Sequence, residues 1–96
     1  MLFVVMAKDK ADSLALRMAT REAHFAYARE TGAVKLGGPF LDATGNMAGS
    51  LIIIEASDLG AAKTWQQNDP YNKAGLFQSV DVQPWKATFN PSDVKF

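Results

Sequence analysis

The stretch LIII at residues 51–54 decides how this chain folds, together with a second apolar run, LFVVMA, at residues 2–7. Both runs are short, almost uninterrupted and rich in residues that favour strands. Such runs are typical of central strands that are covered on both faces. We therefore expect the two runs to form two buried strands of one sheet.

The first apolar run is followed by a segment of good helix formers at residues 11–31. This segment predicts a helix, with Asp9 or Asp12 as its N-cap and Gly32 as a left-handed C-terminal residue. After residues 51–54, the capping residue Asp58 predicts a second helix that ends near residue 68, because Pro70 disfavours helical geometry in the residue before it.

The other segments are predicted as strands and turns. They are a strand at 33–41 interrupted by Gly-Gly-Pro at 37–39, a turn at 42–46, a strand at 48–56, a helical turn at 71–74 closed by Gly75, and a strand at 76–85 whose Pro84 suggests a sheet edge. The resulting order βαββαβ predicts one domain over residues 1–96 with a ferredoxin-like α+β fold. In this fold, a four-stranded antiparallel sheet carries two helices on one face, and the first and third strands are central.

The sheet face without helices is also expected to be apolar, because both central runs lack polar residues. An exposed patch of several hundred Å² is uncommon on soluble monomers, so a second copy of the chain is the expected cover. This predicts a homodimer or a higher homo-oligomer. The alternative is that residues 87–96 fold over the same face within one chain.

Composition and charge exclude several classes of function. The 96 residues include ten basic and ten acidic groups with no cationic run, which argues against nucleic acid as a partner. The absence of cysteine excludes disulfides and thiolate metal sites and fits the cytoplasm. Residues 1–7 reach charged residues too soon for a signal peptide or a membrane span.

His24 is the only histidine, and therefore the only side chain that ordinarily titrates near neutrality. On the predicted first helix it shares one narrow sector with Arg17, Arg21 and Ala28. Three apolar residues are expected to lie beside this sector, against the core: Leu14, Met18 and Phe25. If the sector faces a pocket, the arginines hold an anionic oxygen while the imidazole moves a proton. A lone histidine on a helix is more often structural.

Three further residues have both a functional and a plain interpretation. Asp69 has a defined position before a proline, but is also a common turn residue that caps local N–H groups. Tyr71 could donate a hydrogen bond to a substrate oxygen or simply pack. Ser50 opens the third strand and could face a ligand, although serine is common there.

The combination of these residues is more specific than any one of them. It consists of Arg17, His24, Gly38-Pro39, Gly49-Ser50, Asp69-Pro70-Tyr71 and Gly75, together with the opening MLFVV and the closing VDVQPW at residues 80–85. Over residues 1–89 this pattern resembles the YciI-like family.

The resemblance implies a dimeric α+β barrel with a site formed by a histidine and an aspartate, here His24 and Asp69. Related barrels of known activity tend to rearrange or eliminate on small ring compounds, which favours a lyase or isomerase by analogy. The loop at residues 42–46 is short, which leaves open any contact that a longer family loop would make.

The first functional hypothesis is therefore a small-molecule enzyme. His24 acts as acid or base and Asp69 orients it, while Arg17, Ser50 and Tyr71 grip the substrate. Gly38 and Pro39 are also expected at the substrate site, where backbone without Cβ atoms lets a ligand approach. No cofactor is required.

Two other hypotheses use the same residues. The first is a non-catalytic binding or accessory subunit that holds a small acidic ligand. The second is haem binding through His24, because some dimeric α+β barrels bind haem with one axial histidine. A zinc site is not expected from one histidine and scattered carboxylates, whereas carboxylate-bound Mg²⁺ stays open.

Overall fold

The computed structural model describes residues 1–96 as one four-stranded sheet with three helices. In chain order the elements are β1 (Leu2–Asp9), α1 (Leu14–Thr31), β2 (Val34–Leu41), β3 (Met47–Glu55), α2 (Leu59–Gln67), α3 (Pro70–Lys73) and β4 (Phe77–Trp85). The predicted βαββαβ order is confirmed, and the single turn of α3 lies between α2 and β4. None of these helices is long and apolar enough to cross a membrane.

The strands lie in the order β2-β3-β1-β4, and every neighbouring pair is antiparallel. The two apolar runs therefore form the two central strands, as predicted. Their register places Leu2 opposite Glu55 and Lys8 opposite Gly49. β4 is an edge strand, as Pro84 suggested, because a missing N–H is tolerated at an edge. This arrangement is the ferredoxin-like fold.

The face of the sheet that carries the helices contains the apolar core. Side chains alternate along a strand, so Phe3 and Val5 lie on the same side as their partners Ile54 and Ile52. Together with two residues of α2, they form a cluster of six buried residues: Phe3, Val5, Ile52, Ile54, Ala62 and Trp65. Because side chains alternate along β1 and β3, every second residue of each apolar run faces the helices.

Helix α1 begins three residues later than predicted. Asp12 has a positive φ of 55°, which is incompatible with a helix, and Ser13 takes the N-cap position without a side-chain capping bond. The expectation that Asp9 or Asp12 caps this helix is wrong, because Asp9 is the buried last residue of β1. The predicted end is confirmed: Gly32 has a φ of 63°, and its N–H donates to the carbonyl of Ala28.

The ends of α2 and α3 follow the predicted chemistry. Asp58 caps α2, its side chain accepting a hydrogen bond from the Ala61 N–H at 2.8 Å. Asp69 is extended, with φ −61° and ψ 130°, as a residue before Pro70 should be. Gly75 has a φ of 76° and ends the helical turn. The Asp69 side chain is therefore held at a sharp, well-defined corner of the backbone.

Strand β2 is continuous through Gly37, Gly38 and Pro39, so the predicted interruption does not occur. Pro39 lies opposite Ser50, and its strand is at the sheet edge. An edge strand accepts proline because N–H groups on its open side need no partner. The register of β2 shifts on either side of this segment instead, between Val34 and Leu36 and between Phe40 and Leu41.

The opposite face of the sheet, called here the helix-free face, is partly open. Val4 and Ile53 alternate with core residues and therefore point to it, yet both are buried within the chain, at 9% and 5% exposure. Leu36 and Phe40 of β2, by contrast, are 46% and 44% exposed. The apolar surface left open on this face is concentrated toward the β2 edge.

The last eleven residues, 86–96, follow β4 without forming a helix or strand. The ring of Phe96 packs edge-on against Trp85, with 5.6 Å between the ring centroids. Trp85 lies opposite Leu2, at the β4 side of the helix-free face. This segment therefore reaches one edge of that face and leaves the exposed β2 residues uncovered.

Candidate functional site

The predicted site residues converge where β1, α1, β3 and α3 meet, at one end of the helix-bearing face. Ala7 pairs with Ser50 here, two residues beyond the core pair Val5 and Ile52. Five of the six buried polar or charged residues of the chain contribute to this region: Asp9, Arg17, His24, Ser50 and Asp69. The same pair of strands thus supports an apolar core at one end and a polar cluster at the other.

His24 is hydrogen-bonded to Asp69. Its Nδ1 lies 2.9 Å from Oδ1 and 3.0 Å from Oδ2 of the carboxylate, which is almost fully buried. Asp69 also caps α3, because Oδ1 accepts a bond from the Tyr71 N–H at 2.9 Å. An ionised carboxylate can only accept hydrogen bonds. His24 Nδ1–H therefore donates to Asp69 in this arrangement, and Nε2 is the ring nitrogen that the carboxylate does not contact.

The Tyr71 ring contacts both the histidine and the arginine. Its ring stacks on His24 with 4.2 Å between the centroids and an angle of 19° between the planes. The guanidinium carbon of Arg17 lies 4.7 Å from the centre of the Tyr71 ring. Burial raises the pKa of the Tyr71 hydroxyl, and the charges of Arg17 and Arg21 offset this rise only in part. The hydroxyl therefore stays protonated and available as a donor.

Arg17 is fixed by a buried, bidentate ion pair. Its Nε donates to Oδ2 of Asp9 at 2.7 Å, and its Nη2 donates to Oδ1 of Asp9 at 3.0 Å and to Ser50 Oγ at 2.8 Å. Burial disfavours the charged guanidinium, but the hydrogen bonds and charge of Asp9 outweigh this effect, and the pKa of Arg17 is raised. Arg17 is therefore a permanent cation with a fixed orientation.

These side chains open into a cavity of about 320 Å³, which is within the range of small-molecule sites. Its polar wall comprises Arg17, Arg21, His24, Ser50 and Tyr71, and its apolar wall includes Phe25, Val34, Pro39, Met47 and Ile52. The chain has no group of three or more histidine and carboxylate side chains arranged to hold a metal ion. The lining therefore combines charged and polar groups with apolar side chains, as a small, partly polar ligand requires.

Two atoms with unused hydrogen-bonding capacity are accessible from this cavity. Nε2 of His24 and Nη1 of Arg17 make no hydrogen bond within the protein, although the other nitrogens of both side chains do. No buried side-chain nitrogen or oxygen lacks a partner, so neither atom is sealed off. Both residues line the cavity, so each nitrogen can contribute to binding a ligand there.

The structure brings together all the residues that the sequence singled out for the site. Six of them line the cavity: Arg17, His24, Gly38, Pro39, Ser50 and Tyr71. Asp69 lies behind His24 and does not line it. A Cβ atom at Gly38 would meet nothing within 4 Å, so the backbone here is open rather than tightly packed. The catalytic and binding roles of these residues stay proposals.

The expectation that Leu14, Met18 and Phe25 lie against the core is wrong. They are 38%, 47% and 38% exposed, whereas Arg17 and His24 are buried. Successive residues of a helix are rotated by about 100°, so Met18 turns toward solvent when Arg17 faces the sheet, and Phe25, next to His24, lies at the cavity wall instead of in the core. The buried side of α1 is thus polar, which the hydrophobic pattern does not reveal.

Asp9 is the site residue that the sequence interpretation assigned to the wrong task. The expectation that Asp9 caps α1 is wrong, because its carboxylate binds Arg17 from the end of β1. A signal was present: Asp9 continues the alternation of Phe3, Val5 and Ala7, all of which face the helices. That parity alone would have placed its carboxylate on the buried side of the sheet.

Comparison with known proteins supports a family assignment over most of the chain. The family model described as YCII-related domain matches residues 1–86. Protein YciI of Escherichia coli O6:H1 is 38% identical over 98 aligned positions, covering 93% of this chain and all of that protein. An uncharacterized protein of Haemophilus influenzae is 34% identical over the same coverage.

Solved structures give the same result. One is 5-chloro-2-hydroxyhydroquinone dehydrochlorinase (TftG) from Burkholderia phenoliruptrix AC1100, in complex with 2,5-dihydroxybenzoquinone. It is 37% identical, with a TM-score of 0.83 over 90% of this chain and 94% of that one. An antibiotic biosynthesis monooxygenase has a TM-score of 0.58 at 15% identity, which reflects a shared fold alone. The chain therefore belongs to the YCII-related domain family, the YciI-like proteins that its sequence resembles.

Proposed function

We propose that this protein is a small-molecule enzyme in which His24 and Asp69 carry out acid–base chemistry on a small hydroxylated ring compound. The observation that carries the proposal is the pairing of His24 Nδ1 with the buried Asp69 carboxylate, which leaves Nε2 free at the cavity wall. A neutral imidazole with a fixed tautomer is a suitable general base near neutrality. Elimination or isomerisation is the reaction class that this base favours.

The similarity to TftG supports this choice of substrate class. That protein is described as a dehydrochlorinase of a chlorinated hydroxyhydroquinone and is bound to a dihydroxybenzoquinone. Both compounds are flat, oxygenated rings. A flat ring suits the cavity here, whose apolar wall includes Phe25, Pro39 and Ile52 and whose polar wall offers donors for ring oxygens.

The proposed reaction starts with transfer of a ring hydroxyl proton to Nε2 of His24. In an isomerisation, the O–H electron pair becomes a new C=O bond, the ring double bonds shift, and a ring carbon takes up a proton. In an elimination, that carbon is the one that bears the halogen; a second ring hydroxyl then loses its proton, its electron pair forms a second C=O bond, and the halide leaves the now saturated carbon with its bonding pair. The developing oxyanion is stabilised by Nη1 of Arg17 and by the hydroxyl of Tyr71. Asp69 orients the imidazole and stabilises its charged form.

The test is halide release from a panel of chlorinated hydroquinones, followed with a chloride electrode. In His24→Gln we expect the rate to fall by about 10²–10⁴-fold, the usual contribution of a positioned general base. Arg29→Gln is the matched control, because Arg29 is exposed on the same helix. Unchanged halide release by folded His24→Gln would reject the mechanism. A ligand that stabilises the protein but is recovered unaltered would favour a binding subunit.

We also propose that the functional unit is a homodimer that pairs two helix-free faces. Leu36 and Phe40 are nearly half exposed on that face, and the segment after β4 reaches only the opposite edge, at Trp85. Burying such a patch is favourable by roughly 25 cal/mol per Å², part of which is lost to the entropy of association. A second sheet of the same shape is the cover that the symmetry of homo-oligomers favours.

Sedimentation velocity tests the dimer. The wild-type protein should sediment as a dimer, and Leu36→Asp should shift it toward monomer, because a carboxylate would then be buried without a partner. Leu16→Asp is the control, since Leu16 is similarly exposed but lies on α1. A wild-type monomer at micromolar concentration would reject this assembly.

A further inference from the structure

Arg21 is a charged side chain of the cavity that the proposed reaction does not use. The cavity wall contains two arginines and no carboxylate, because neither Asp9 nor Asp69 lines it. Arg17 is buried and bound to the Asp9 carboxylate, whereas Arg21 is exposed and forms no ion pair. Arg21 is therefore the arginine of this cavity whose charge has no partner within the protein.

The position of Arg21 on α1 directs it to the same side as the other site residues of this helix. It lies four residues after Arg17 and three residues before His24. Residues three or four apart on a helix are neighbours, with Cβ atoms about 5–6 Å apart. All three side chains line the cavity. A ligand that reaches His24 is therefore close to the Arg21 side chain as well.

Phe25 fixes the guanidinium of Arg21 beside the cavity. The guanidinium carbon lies 5.2 Å from the centroid of the Phe25 ring, which attracts a cation over its face. The centroid of the same ring lies 5.7 Å from that of His24, and Phe25 itself lines the cavity. The guanidinium is thus no farther from the imidazole than these two distances together. One substituted ring bridges such a separation with a hydrogen bond at each end.

The charge of Arg21 also acts on the polar wall of the cavity. Burial is the main cause that raises the pKa of the Tyr71 hydroxyl, and the charges of Arg17 and Arg21 both act to lower it. Tyr71 belongs to α3 and not to α1. The Arg21 charge therefore reaches a group that a ligand in the cavity would contact.

We propose that Arg21 binds an anionic substituent of the ring ligand, and that a carboxylate is the favoured group. The planar fork of an arginine matches the two oxygens of a carboxylate and can hold both. This inference rests on the site of the proposed function and adds a group that the proposed reaction does not require. Arg21 is a specificity-determining residue, because it acts away from the reacting atoms. The favoured ligands are hydroxylated rings that carry an acidic group.

The first experiment compares gentisate, which is 2,5-dihydroxybenzoate, with its uncharged amide on the wild-type protein, by titration calorimetry at neutral pH. Both probes have the ring and hydroxyls of hydroquinone, and only the carboxylate is charged under these conditions. We expect gentisate to bind about tenfold more tightly, which is the scale of one charge-assisted hydrogen bond. Equal binding, tighter binding of the amide, or no binding of either probe at millimolar concentration would overturn the proposal.

The second experiment assigns the preference to Arg21. Arg21→Gln should weaken gentisate binding by about tenfold and leave amide binding unchanged, whereas Arg21→Lys keeps a cation and should retain part of the preference. Arg29→Gln is the matched control, because Arg29 is exposed on the same helix and does not line the cavity. An unchanged preference in Arg21→Gln, or an equal loss in Arg29→Gln, would overturn the assignment.

Salt distinguishes exposed Arg21 from buried Arg17. The attraction of an exposed cation is screened, so the preference for gentisate should fall as salt is raised toward about 1 M. A preference that salt does not change would indicate Arg17 instead and overturn the assignment. In His24→Gln the preference should persist, since Arg21 does not act through the imidazole. Failure of these binding tests is thus distinct from failure of the His24 halide-release test.

Discussion

The two ends of the β1–β3 pair on the helix-bearing face differ sharply in chemistry. At one end Phe3 pairs with Ile54, and both are fully buried in the apolar core. Four residues further along β1, Ala7 pairs with Ser50, and the surrounding buried groups are charged. One backbone ladder, with one register, therefore supports both a core and a candidate active site.

The contrast shows two ways of burying side chains. Apolar burial is favourable by roughly 25 cal/mol per Å², so the core end stabilises the fold directly. A buried ion pair such as Arg17 with Asp9 loses about as much hydration energy as it gains by attraction, so it adds little net stability. The polar end is therefore best explained by what it does, while the apolar end holds it in place.

The largest expected effect comes from truncation at the core end. Phe3→Ala should lower the free energy of unfolding by about 3–5 kcal/mol, since it removes a fully buried ring and leaves a cavity. Urea unfolding monitored by circular dichroism measures this loss. Phe89→Ala is the control, because Phe89 is 89% exposed and its truncation should change stability by less than about 0.5 kcal/mol. Equal losses in the two variants would contradict the location of the core.

At the polar end, removing one partner of the Arg17–Asp9 ion pair should lower the free energy of unfolding more than removing both partners. Arg17→Met leaves the Asp9 carboxylate buried and unpaired, which should cost about 3 kcal/mol of unfolding free energy. The double variant Asp9→Leu with Arg17→Met should recover most of that loss, because no buried charge is left. The same urea titration measures both. A double variant no more stable than Arg17→Met would contradict this, because the loss would then not come from an unpaired buried carboxylate.

Each end also contains one tyrosine, half-buried Tyr27 at the core end and buried Tyr71 at the polar end, which allows a smaller comparison. The Tyr27 hydroxyl donates to the Trp65 carbonyl at 2.7 Å, so Tyr27→Phe should cost about 1 kcal/mol of unfolding free energy. The Tyr71 hydroxyl bonds no carbonyl, so Tyr71→Phe should cost less stability and instead weaken hydroquinone binding. Thermal melts and calorimetry separate the two effects. Equal stability losses would contradict this division.

The smallest effect concerns the titration of the same two tyrosines. Burial is the main cause that raises the pKa of both, and the charge of Arg21 lowers the pKa of Tyr71 only. Arg21→Gln should therefore raise the pKa of Tyr71 further and leave that of Tyr27 unchanged. Phenolate absorbance in a pH titration, with Tyr71→Phe used to assign the signals, measures this. A shift of Tyr27 would contradict the electrostatic cause.

The same shifts predict how stability depends on pH. Because both pKa values are higher in the folded state, the folded protein retains its phenolic protons longer than the unfolded chain. The associated stability is present below the ordinary tyrosine pKa of about 10 and is lost as pH rises toward the folded values. Tyr27→Phe should reduce this alkaline loss, as measured by urea midpoints above neutrality.

Much of the fold was predictable because its signals are local. The apolar runs at residues 2–7 and 51–54 identified the central strands, and Asp58, Pro70 and Gly32 marked where helices begin or end. Each of these residues acts through its own backbone or its immediate neighbours. The predicted start of α1 was wrong because three nearby polar residues could each cap the helix. Local chemistry alone does not show which of them does.

Part of the candidate site was also predictable. The rarity of histidine and the fixed corner before Pro70 drew attention to His24 and Asp69. The partner of Arg17 was not found, because Asp9 is eight residues away along the chain, and its carboxylate meets the guanidinium only when β1 and α1 pack together. The exposed side of α1 was misjudged because a buried stripe of charged residues gives no hydrophobic signal.

The sequence by itself determined the order of the elements, the two central strands and the residue types available for chemistry, since all of these follow from short-range patterns of polarity and backbone preference. Only the tertiary structure decided which groups meet. It joined His24 to Asp69 across 45 positions and Arg17 to Ser50 across 33, leaving one free nitrogen on His24 and one on Arg17. The physical reason is that hydrogen bonds and charge pairs act over a few ångströms, and chain packing alone sets distances on that scale.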